Sequence, residues 1–142
     1  MKNTENNIRI SIKKNWANNK SPEFLLFPKN YNIIKTTKEE DLIEWKWSSR
    51  EQPKKITIQF VNKDPRDTKV VNGKVVEDLS ILIEDIVVGG ISLATIKDKF
   101  GIYKTEEGKI LKTYGYMGFN GMYTFKFRYN PLYMKTLCFM LK

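Results

Sequence analysis

Five oxygen-bearing side chains crowd one stretch of the chain: Asn62, Asp64, Asp67, Glu77 and Asp78. Carboxylates and amide carbonyls on loops are what a hard cation such as calcium takes, with about six to eight oxygens around it. The residue types therefore point to a calcium site built from Asn62, Asp64, Asp67 and Asp78. The spacing is not that of an EF-hand loop, which ends on a glutamate at its twelfth position. Lys63 and Arg66 are interleaved with the acids, so salt bridges and Asx-type turns are the competing use of the same oxygens.

Aromatic residues form a second set. Trp45 and Trp47 lie two apart and share one face of a strand, where they form either core or a stacking platform. Tyr114, Tyr116 and Phe119 sit with Asn120 in a stretch punctuated by Gly115, Gly118 and Gly121. Exposed rings in such a loop suit the apolar faces of sugars or bases. These six residues are the expected ligand contacts. The glycines recur every third position, but no Gly-Lys-Ser/Thr follows and no helix opens, so a phosphate loop is not indicated.

Other chemistries are excluded or disfavoured. The chain has no histidine, which removes Ser-His-Asp and Cys-His catalysis and zinc sites that need imidazole. Cys138 is the only cysteine and lies in an apolar run, as a small core hydrophobe does. Paired carboxylates for glycan hydrolysis are the one enzymatic reading left, and we expect no catalysis. The net charge of +9 invites nucleic acid as an alternative partner. The lysines are scattered, however, and residues 61–100 are slightly acidic, so the charge also reads as ordinary solubility.

Something must hold these residues in place. At 142 residues a single domain with a true core is expected. Ile8, Ile10 and Ile12 alternate with polar residues, as in a half-buried strand. Ile43, Trp45 and Trp47 repeat the pattern, as do Ile56, Ile58 and Phe60. Tyr123, Phe125, Phe127 and Tyr129 do so again, and Leu137, Phe139 and Leu141 mark a last strand that is expected to pair with the first. Ile81 and Ile83 are out of phase with Ile86 and Val88, so a β-bulge or a turn is expected near Glu84-Asp85. Asn72-Gly73 suits a type I′ hairpin that carries Glu77 and Asp78 back towards Asp64 and Asp67. Short helical turns are expected at most: 36–41 is a helical turn or a loop, and 94–100 can form one or two turns. The result is an all-β fold, an antiparallel sandwich or jelly roll over residues 1–142. No apolar run approaches the ~20 residues that span a bilayer. The first residues lack a signal-peptide core, so a cytoplasmic site of synthesis is expected.

The stretch Phe60-Val61-Asn62, Asp78-Leu79-Ser80-Ile81-Leu82-Ile83 and Ile86-Val87-Val88-Gly89-Gly90 resembles calcium-dependent carbohydrate-binding modules of the xylan-binding type. Lys63 stands where those modules carry an acidic ligand. Together with Tyr116-Met117-Gly118-Phe119-Asn120-Gly121 the stretch also looks like small β-sandwich domains of large tailed bacteriophages. The resemblance implies a non-catalytic module, a virion accessory protein located in the virion or the host cytoplasm. It would contact glycans or a protein partner through its loops, in a larger assembly or a homo-oligomer.

Overall fold

The computed structural model describes residues 7–46, 55–93, 101–113 and 115–126. They form thirteen strands and one short 3-10 turn. One sheet contains β1 (Asn7–Asn15), β3 (Asn32–Thr36), β4 (Glu40–Lys46), β8 (Ser80–Val88), β9 (Ile91–Ser92) and β12 (Tyr116–Met117). Its order is β12-β8-β1-β4-β3, with β9 also on β8. The other contains β2 (Phe24–Phe27), β5 (Lys55–Phe60), β10 (Gly101–Thr105), β11 (Ile110–Leu111) and β13 (Gly121–Lys126), in the order β11-β10-β13-β5-β2. A separate hairpin pairs β6 (Thr68–Val71) with β7 (Lys74–Asp78). All pairings are antiparallel, and the chain changes sheet at most connections.

The inward side chains of both sheets meet in one core. Ile8, Ile10 and Ile12 of β1 are fully buried, and so are Ile81, Ile83 and Ile86 of β8. They face Ile56, Ile58 and Phe60 of β5, Tyr103 of β10, and Tyr123 and Phe125 of β13. This is the packing of two sheets whose alternating residues interdigitate. The phase change in β8 is a bulge: Ser11 pairs with Asp85 and Ile12 with Ile83, leaving Glu84 as the extra residue. The bulge places Ile81, Ile83, Ile86 and Val88 on the same inner face. The 72–73 turn also takes its expected form, with φ positive at both Asn72 (52°) and Gly73 (77°).

Of the helical turn and the loop open to 36–41, the chain takes the loop: residues 37–39 join β3 to β4, closed by the Thr37 amide on the Glu40 carbonyl at 2.8 Å. Both edges of β1 are taken, one by β4 and the other by β8. The segment around Tyr116 is not a free loop: Tyr116 and Met117 add a short strand to β8, and Met117 is fully buried. The expectations for 94–100, 127–129 and 133–141, Cys138 included, lie outside the described residues.

Candidate binding site

Trp45 is a core residue. Its ring is 1 % exposed, its Nε1 donates to the Pro28 carbonyl at 2.7 Å, and Tyr31 packs against it at 5.8 Å between ring centres. It therefore presents no face to a ligand. The strand's alternation turns Trp45 inward along with Ile43. Trp47 and Tyr114 lie outside the described residues.

The oxygen-rich loop divides its acids among separate cations and amides. Asp64 caps the 3-10 turn Pro65–Asp67: it accepts from the Arg66 amide at 2.9 Å, and its own amide donates to Asp67 Oδ2 at 2.9 Å. Asp67 accepts from Lys20 Nζ at 2.8 Å. Asn62 accepts from the Glu23 amide at 2.7 Å and donates to the Ser21 carbonyl at 2.9 Å. Asp78 accepts from Lys63 Nζ, from the Tyr116 hydroxyl, and from Thr68 Oγ1 at 2.7 Å. Among the described residues no three acidic, histidine or cysteine side chains are placed to hold a metal ion. In this structure the oxygens of the expected calcium set, Asn62, Asp64, Asp67 and Asp78, serve as caps and ion-pair partners. The Lys63 ammonium supplies the positive charge internally, bonding the Leu79 carbonyl at 2.8 Å as well as Asp78.

The electrostatics follow from these partners. Burial pushes the Asp78 carboxyl up, but the bonds from Lys63, Tyr116 and Thr68 outweigh it and hold the group below its usual range. The Lys20 bond does the same for Asp67 against a smaller burial effect. Burial and the bond to Asp78 push the Tyr116 phenol up to about 12. Tyr116 is therefore a neutral strut between β12 and the end of β7.

Phe119 differs from its neighbours. The residue is 61 % exposed, yet its backbone is held at both ends by one side chain. The Phe119 amide donates to the Tyr103 hydroxyl at 2.9 Å, and that hydroxyl donates to the Phe119 carbonyl. Next to it, Asn120 bridges the Lys63 backbone, accepting from its amide at 2.7 Å and donating to its carbonyl at 2.9 Å. These bonds fasten the 118–120 segment to both β10 and the 62–68 loop. Beside the ring lies a cleft of about 610 Å³, lined also by Pro65, Thr68, Leu111 and the exposed Glu106, Glu107 and Lys109. It joins an aromatic face to several polar groups, the usual composition of a small-ligand site.

Of the expected contacts, Phe119 and Asn120 meet at this cleft, whereas Tyr116 bonds Asp78 and lies outside it. No local signal in the sequence places the 106–109 turn beside Phe119. No local pattern marks Tyr103 as the clamp. Trp16 was also missed. It lines a second cleft of about 550 Å³ under the β6–β7 hairpin, with Lys38 Nζ 5.0 Å from its ring centre.

Compared with known protein families, with curated proteins and with solved structures, the chain matches none of them.

Proposed function

We propose that the protein is a non-catalytic binding module whose Phe119 cleft takes a glycan. The observation that carries this reading is the exposed Phe119 ring on a backbone pinned by Tyr103 and flanked by the Asn120 bridge. A ring fixed before binding loses little freedom when a sugar stacks on it, and the polar groups around it suit hydroxyls. A binding role also fits the acids of the loop. Asp64, Asp67 and Asp78 are held ionised by cations and amides, whereas a general acid for glycoside cleavage needs a raised pKa. The resemblance to phage sandwich domains supports a place on a virion, as an accessory protein docked on a larger particle.

The test is a glycan array followed by titration calorimetry on the positive sugars. Phe119→Ala should weaken binding at least about tenfold, and Phe119→Trp should retain it. An array without hits, or a hit that Phe119→Ala leaves unchanged, removes the proposal. Nucleic acid is the alternative occupant. It requires affinity that falls steeply with salt, and the mixture of Glu106 and Glu107 with Lys63 and Lys109 around the cleft is poorly suited to phosphates.

A further inference from the structure

The outer face of the five-stranded sheet carries a distinct signal. Its cross-strand registers align Ile110, Lys104, Met122, Gln59 and Leu25 in one row across all five strands. The adjacent row brings Ile102 beside Thr124, Thr57 and Phe27. The large aliphatic members are open to solvent: Leu25 is 48 % exposed, Ile102 51 %, Ile110 67 % and Met122 42 %. Clustered aliphatic exposure of this kind marks an interaction surface more often than isolated exposed residues do.

Charge identifies the partner. These five strands contain Lys55, Lys104 and Lys126 and neither aspartate nor glutamate. The opposite sheet carries Glu40, Asp41, Glu44, Glu84 and Asp85. Acids adjoining the five-stranded sheet, Glu23, Glu106 and Glu107, belong to connections at the strand ends. A second copy packed face to face would set lysines against lysines. Single-stranded nucleic acid calls for exposed aromatic platforms. Here the exposed centre is aliphatic, and Lys29 Nζ already lies 5.7 Å from the Phe27 ring centre. An aliphatic row that holds Lys104 among its members and is edged by the paired Lys55 and Lys126 instead suits a protein surface of opposite charge.

We propose that this face docks an acidic protein surface with an apolar centre. The site is separate from the Phe119 cleft and does not depend on a glycan binding there. The experiment is fluorescence anisotropy of the full chain with a labelled peptide that alternates glutamate and leucine. Oligothymidylate and phosphatidylserine vesicles serve as competing probes. The peptide should bind, and Met122→Thr and Lys104→Glu should each weaken it about tenfold, as loss of a central interface contact does. Lys35→Glu, on the other sheet, should leave binding unchanged. Thermal unfolding of each variant separates lost binding from lost folding. The proposal is overturned if the peptide does not bind or if folded Met122→Thr and Lys104→Glu bind it as tightly as the parent. It is overturned in favour of a nucleic acid or a membrane if either competing probe binds through these residues while the peptide does not.

Discussion

Asp78 is the residue on which the loop network converges. It sits between the Lys63 ammonium, whose side chain is only 7 % exposed, and the Tyr116 hydroxyl. Removing its charge leaves the buried ammonium with only neutral acceptors, the Leu79 carbonyl among them, and takes away one of the two carboxylate oxygens that the ammonium and the phenol use. Asp78→Asn should therefore cost about 2 kcal/mol or more in denaturant unfolding. The pH dependence has a definite sign. The folded pKa of Asp78 lies below its ordinary 3.8, so its contribution is fully present above about pH 4 and is lost as pH falls through the folded value. Asp67 and Glu44 act in the same direction. Melting temperature should thus fall on acidification from about pH 4, and the fall should be shallower in Asp78→Asn. Tyr116 works at the other end: its phenol rises to about 12, so its contribution is lost as pH climbs from about 10. Residue types showed that this loop was rich in oxygen and that Lys63 interrupted it. They did not show that Lys63 would reach Asp78, because that contact closes over 15 positions and depends on how the hairpin folds back.

Strands carry two devices that differ in legibility. The bulge in β8 was visible as a break in alternation, since a period of two is a local property. Deleting Glu84 should destroy it, turning either the Ile81/Ile83 pair or the Ile86/Val88 pair outward. We expect loss of a cooperative thermal transition, read by circular dichroism. Gly121 is different. In the sequence it belongs with Gly115 and Gly118 as a source of loop freedom, but it begins β13 beside β10. A Cβ there would lie 2.3 Å from the Lys104 carbonyl oxygen and 2.7 Å from the Thr105 Cα. Both are backbone atoms that cannot swing aside, so Gly121→Ala should lower stability by about 2 kcal/mol or more in urea unfolding. Two-residue β12 could not be seen in advance either, because so short a strand has no period of its own. It exists because β8 offers Tyr116 and Met117 an edge to pair with, at Leu82 and Ile81.

Across the whole molecule the two sheets share a single core, so damage to one layer should be felt by both. Ile10, central in β1 and fully buried, tests this. Ile10→Ala should cost about 3 kcal/mol and still unfold in a single transition whether followed by tryptophan fluorescence or by circular dichroism. The all-β class, the apolar side of most strands, the type I′ hairpin and the bulge are all present in the order of residues. Each follows from a pattern only a few positions long, set by the geometry of one strand or one turn. Strand neighbours, the burial of Trp45 and the meeting of the 106–109 turn with Phe119 are long-range matters. β1 lies between β4 and β8 because a buried strand must satisfy amides and carbonyls on both edges, and alternation along the chain does not name the partners that do so. The cleft is assembled by the same kind of contact, from segments far apart in the chain and locked by the Tyr103 and Asn120 bonds.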